Sequence, residues 1–166
     1  MRPESPWDQT IAACQDHLAG WRYTSAWFPV TQSAVDRFAE SVLDPDPMHI
    51  DAEWSRTNTP YGGTIAQGLW TTSMLVKMLH DSGLPAELVQ ALDAPIGLNY
   101  GFDRLRLVEP VPIGSSIRGI LAFRSIEPKD SRTALVRLSA TVETDRAARP
   151  AVVAEWVVAF RKADPS

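Results

Sequence analysis

Between residues 64 and 79 the chain carries Ile65, Ala66, Leu69, Trp70, Met74, Leu75, Val76, Met78 and Leu79. At helical spacing these side chains cover nearly the whole circumference, and only the C-terminal end, Lys77 and His80, is polar. Such a helix is expected to be buried on most sides. The stretch is too short, and too interrupted by polar residues, to be read as a membrane span. Downstream the period changes to two. Ala134, Val136, Leu138, Ala140 and Val142 fall on one side, with Thr133, Arg137, Ser139, Thr141 and Glu143 on the other, which is the alternation of an antiparallel strand with one wet face. Similar strands are expected over 97–109, 114–127 and 150–161, with turns at 128–131 and 145–150. The expected class is α+β, an antiparallel sheet wrapped around a long central apolar helix.

The first third of the chain is less regular. Ile11, Ala12, Ala13 and Leu18 predict a short helix before Gly20, with residues 1–20 as a peripheral segment, and Tyr23, Trp27 and Phe28 predict a strand over 22–30. From Ser33, the expected cap, Val35, Phe38, Ala39 and Val42 recur at helical spacing until Pro45 stops the helix. Asp51 is the expected N-cap of a short helix over 51–57. The turn Pro60-Tyr61-Gly62-Gly63 leads into the central helix, which Gly83 and Pro85 end.

The 166 residues fit one domain spanning 1–166, large enough to bury a core without disulfides. A net charge of −4 with no basic run gives no electrostatic footprint for nucleic acid and no polybasic membrane anchor. The single Cys14 has no disulfide partner and the first residues lack a signal-peptide apolar stretch, so a reducing, cytoplasmic setting is expected. No internal repeat or low-complexity segment is present.

Residues 41–51 read Ser-Val-Leu-Asp44-Pro-Asp46-Pro47-Met-His49-Ile-Asp51. The stretch is too proline-rich to be helical. A carboxylate and a histidine five residues apart on a rigid loop can converge on one water, an arrangement that proton transfer needs and core packing does not. The plainer reading makes Asp44 a turn cap and His49 a satisfied interior histidine. A metal site built from Asp44, Asp46, His49 and Asp51 is the other alternative. Its spacing is wrong for an EF-hand, with His49 where Gly is required and Ser55 where Glu is required, and a single histidine is poor for zinc. No metal and no cofactor is expected. Cys14 with His17 is a chance spacing, His80 beside Asp81 reads as a surface residue at a helix C-terminus, and there is no nucleophile elbow, dinucleotide loop or Walker loop.

The stretch Asp44-Pro-Asp46-Pro47-Met48-His49-Ile50-Asp51 resembles the Gly-Asp-x-Asn-Pro-(aliphatic)-His-x-Asp motif of MaoC-like (R)-specific enoyl-CoA hydratases and dehydratases. Pro60-Tyr61-Gly62-Gly63-Thr64-Ile65-Ala66-Gln67-Gly68-Leu69 resembles that family's Phe-Gly-x-x-Ile-Ala-His-Gly segment, and residues 99–114 are similar to its NodN-like branch. The resemblance runs over about residues 30–160. It implies the hot-dog fold, a homodimer, and Asp44 and His49 as the catalytic pair that activates water and transfers protons. By the same resemblance the backbone N–H of Gly68 is the oxyanion donor, at the start of the central helix where unpaired N–H groups and the helix dipole suit an enolate oxygen. The alternative is that Gly68 only permits close packing. Asp46 stands where the family has Asn, and Gln67 where it has His; both are expected in supporting roles, Asp46 as a second carboxylate beside Asp44. Trp70 is either core or the wall of an acyl tunnel. The implied reaction is reversible hydration of a 2-enoyl thioester carried by CoA. An acyl-carrier-protein or polyketide-type dehydratase, a thioesterase, and a non-catalytic acyl-thioester-binding or dimerisation module are the rivals.

Overall fold

The computed structural model describes residues 5–164; residues 1–4 and 165–166, the ends of the 1–166 domain expected from sequence, lie outside the described residues. In chain order the elements are α1 (Pro6–His17), β1 (Arg22–Thr24), β2 (Phe28–Pro29), α2 (Gln32–Val42), α3 (Pro47–Ile50) and α4 (Ala52–Asn58). There follow α5 (Gly68–Asp81), α6 (Leu84–Leu92), β3 (Ile96–Leu107), β4 (Ser116–Pro128), β5 (Thr133–Thr144) and β6 (Val152–Arg161).

The alternation read along β5 places Ala134, Val136, Leu138, Ala140 and Val142 on the core face, each no more than 1% exposed. Antiparallel pairing gives the order β1-β4-β5-β6-β3, with β2 also on β4. The concave face holds α5, which packs against β4, β5 and β6, and Leu75 and Met78 of this helix are fully buried. This is the α+β hot-dog arrangement. Burial of each such side chain contributes about 1.5–3 kcal/mol. Helix and sheet pack tightly at Gly119 of β4, where an added Cβ would stand 3.2 Å from Met78 Cβ and Cγ. The outer face is drier than its polar residues suggest. Leu135, Val157 and Ala159 form a second buried apolar group there, beside an Arg137 guanidinium that reaches Asp103 at 2.9 Å and Glu127 at 2.5 Å.

Several boundaries differ from the sequence reading. The segment 1–20 is not peripheral from residue 6 onward, because Trp7, Ile11, Cys14 and Leu18 belong to the main core, and Ser5 and Asp8 close a capping box at its start. The strand expected over 22–30 is split into β1 and β2, which pair with different stretches of β4. Between them the Ser25 side chain accepts from Gly119 N–H at 2.9 Å. Thr31, not Ser33, caps α2, accepting from Ala34 N–H. Gly83, at φ 76°, ends α5 and also opens α6, whose Leu84, Leu88 and Leu92 are buried. Pro85 sits in the first turn of α6, where its missing N–H is not needed.

Candidate active site

The C-terminus of α2 delivers Asp44. Leu43 adopts a left-handed conformation (φ 58°, ψ 41°), which lets Asp44 N–H reach back to Ala39 C=O at 2.9 Å and turns the chain out of the helix. Asp44 Oδ1 then accepts from Asp46 N–H at 3.1 Å. The segment expected to be non-helical contains the single turn α3, with Pro47 at its first position and Asp46 as N-cap, accepting from Met48 N–H at 2.9 Å. Proline is compatible with that position because a first-turn N–H has no intrahelical acceptor. The Asp46 carboxylate is thus engaged in capping, and it is the Asp46 backbone that touches Asp44.

His49, on α3, is buried, and its Nδ1 lies 2.7 Å from Ile65 C=O. A carbonyl only accepts, so Nδ1 carries the hydrogen and Nε2 is the ring atom left for chemistry. That Nε2 stands 4.0 Å from Asp44 Oδ2. The gap is too long for a hydrogen bond and leaves both atoms within reach of one further oxygen. Gln32 braces the turn from α2: its amide donates to His49 C=O at 2.7 Å and accepts from Thr64 Oγ1 at 2.6 Å. Nothing in the sequence singled out Gln32, whose partners His49 and Thr64 at the site lie 17 and 32 residues away.

His49 also lines a cavity of about 330 Å³ whose walls include Tyr61, Ile65, Gly68, Thr71 and Leu107. The sequence places the central helix start at Thr64, whereas α5 begins at Gly68, because the preceding residues are held by the connection between β3 and β4. Ile65 bridges to Pro112, and Ala66 N–H donates to Val111 C=O at 2.8 Å. Gly68 is therefore the first helical residue, and Gln67 at the N-cap makes no side-chain cap. Gly68, at the helix end where first-turn N–H groups lack intrahelical acceptors and the dipole is positive, forms part of the cavity wall. Gln67 is 4% exposed, and neither atom of its amide has a hydrogen-bond partner among the described residues. Trp70 lies in the main core and is not among the residues of the cavity wall. Asp51 caps α4 through Glu53 and Trp54 N–H. Among the described residues no three His, Cys, Asp or Glu side chains are grouped as a metal cage.

The family model of the MaoC like domain matches residues 16–145. The chain belongs to this MaoC-like dehydratase family. Among curated relatives, Nodulation protein N of Rhizobium leguminosarum bv. viciae is 35% identical over 133 residues, 80% of each chain. The 3-hydroxyacyl-thioester dehydratase Z of Mycobacterium tuberculosis (strain CDC 1551 / Oshkosh) is 32% identical over 136 residues, 82% of this chain and 85% of the relative. Among solved structures, a MaoC-like dehydratase from Rhodospirillum rubrum superposes with a TM-score of 0.68 at 26% identity, covering 88% of this chain and 94% of that one. Membership of the MaoC-like dehydratases supports hydro-lyase chemistry on acyl thioesters. No helix among the described residues is long and apolar enough to cross a membrane.

Proposed function

We propose that this MaoC-like protein catalyses the reversible hydration of a 2-enoyl-CoA to the (R)-3-hydroxyacyl-CoA, with Asp44 and His49 acting jointly on one water. The observation that carries the reading is the 4.0 Å approach of His49 Nε2 to Asp44 Oδ2, with Nδ1 already committed to Ile65 C=O. With Asp44 ionised and His49 neutral, both facing atoms accept hydrogen bonds. A water that donates one O–H to each presents its lone pair to C3 of the enoyl group. As the O–C3 bond forms, one water proton passes to the pair and the C2=C3 electrons move toward the thioester oxygen. The Gly68 N–H, at the positive end of α5, holds that developing negative charge. The pair then delivers its proton to C2, which restores the resting site and leaves a neutral 3-hydroxyacyl thioester. Acid–base groups of this kind typically contribute about 10²–10⁴-fold each. The name of the mycobacterial relative, a 3-hydroxyacyl-thioester dehydratase, agrees with this substrate class. The motif resemblance supports coenzyme A as carrier, the (R) configuration and a place in fatty acid metabolism, and the single Cys14 supports a cytoplasmic setting.

A second copy of the chain is the proposed partner. β3 is a 12-residue edge strand with one neighbour, and Ile96, Leu98, Tyr100 and Leu107 on it are all exposed. Such an edge is a template for strand pairing.

The test is incubation with a panel of 2-enoyl-CoA thioesters while following the absorbance of the conjugated double bond. Loss of that absorbance, with the (R)-3-hydroxyacyl product, is expected. Tight thioester binding without turnover of any member would identify a non-catalytic acyl-thioester module instead.

A further inference from the structure

Leu107 ends β3 opposite Val152 and is 54% exposed. Its side chain nevertheless lies directly against the Gly68 Cα, so that a Cβ added there would collide with Leu107 Cδ1 and stand 3.1 Å from both Cγ and Cδ2. Both residues wall the cavity that His49 lines. In a helix the Cα–Cβ direction tilts toward the N-terminus, the direction in which the free N–H of a first residue also points. Leu107 therefore fills the space beside the Gly68 amide.

We propose that Leu107 is a specificity-determining residue, whose side chain restricts the site to thioesters unbranched at C2. This rests on the hydratase reading. A thioester oxygen that accepts from Gly68 N–H sits about 3 Å from that nitrogen, with C1 next and C2 one bond further. A branch at C2 then falls in the shell around Gly68 Cα that Leu107 Cγ, Cδ1 and Cδ2 occupy. A methyl group there meets Leu107 Cγ, Cδ1 and Cδ2, which already stand where even a Cβ on Gly68 would collide.

The experiment compares kcat/KM for crotonyl-CoA and for its 2-methyl analogue in the wild-type protein, Leu107→Ala and Leu107→Val. One methyl group too many in an apolar pocket is discriminated by about 10–200-fold, so the wild type favours crotonyl-CoA by at least about tenfold. Leu107→Ala raises the branched-to-unbranched ratio by about tenfold or more. Leu107→Val keeps the strand preference and raises it by less. An unchanged ratio in both variants, with crotonyl-CoA still turned over, overturns the role of Leu107. Equal loss on both thioesters in both variants overturns it too, because a wall beside C2 acts on the ratio. Absence of turnover of both thioesters by the wild type overturns the hydratase reading and this role with it.

Discussion

Asp46 donates its backbone N–H to Asp44 Oδ1 at 3.1 Å and turns its own carboxylate away, onto Met48 N–H at 2.9 Å. The residue that looked in the sequence like a second acid in the site is the N-cap of the turn that presents His49. Asn caps as well as Asp does. Asp46→Asn therefore keeps wild-type kcat/KM and melting temperature, whereas Asp46→Ala loses about 1 kcal/mol of stability, a Tm drop of roughly 2–4 °C. Equal loss of activity in both variants, read by the enoyl-CoA assay and thermal melts, would show that the Asp46 charge takes part in the chemistry.

Gly68 has two reasons to be glycine, and one pair of variants separates them. Gly68→Ala collides with Leu107 and lowers both Tm and activity. If the added methyl also stands between the thioester oxygen and the amide, Gly68→Ala/Leu107→Ala regains Tm while kcat/KM stays about 10²-fold down, the scale of a small misplacement of the reacting group. Recovery of activity together with stability would mean that Gly68 serves only its packing against Leu107.

Leu43 is 88% exposed and holds a left-handed backbone conformation. That conformation costs a non-glycine residue about 1–2 kcal/mol, partly offset because glycine loses about 0.4–1 kcal/mol more on folding. Leu43→Gly is accordingly expected to stabilise the protein by about 0.5–1 kcal/mol, visible as a rise in Tm. A fall in Tm would show that the Leu43 side chain makes stabilising contacts.

The parts of this fold that rest on periodicity were legible in the sequence, and the parts that rest on long-range hydrogen bonds were not. The alternation along Ala134–Val142 announces the sheet, because burial itself writes that pattern, and the apolar run announces the helix; α5 is buried on the side of Leu75 and Met78 only, while Leu69 and Val76 of the same run are exposed. The expected start of α5 lies four residues too early, since Ile65 and Ala66 are claimed by Pro112 and Val111, partners that no local window contains. α6 was hidden behind Gly83 and Pro85, which stop one helix and begin the next with the same two residues. At the site, the five-residue spacing of Asp44 and His49 pointed to the pair. The cap made by Asp46, the brace made by Gln32 and the contact of Leu107 with Gly68 are tertiary facts with no signature in spacing or composition.

The central claim is that Asp44 and His49 work on one water as a unit, and a double-mutant cycle on kcat/KM for a 2-enoyl-CoA measures this directly. Asp44→Asn and His49→Ala are each expected to lower kcat/KM by about 10²–10⁴-fold while the circular dichroism spectrum stays near wild type; Asp44→Asn keeps Tm, and His49→Ala, which leaves Ile65 C=O without its buried donor, lowers it by the equivalent of about 1–3 kcal/mol. The double variant should be little worse than the weaker single, because groups that share one reacting atom are not additive. Independent losses that multiply in the double variant, or near-normal turnover in both singles, would contradict the account.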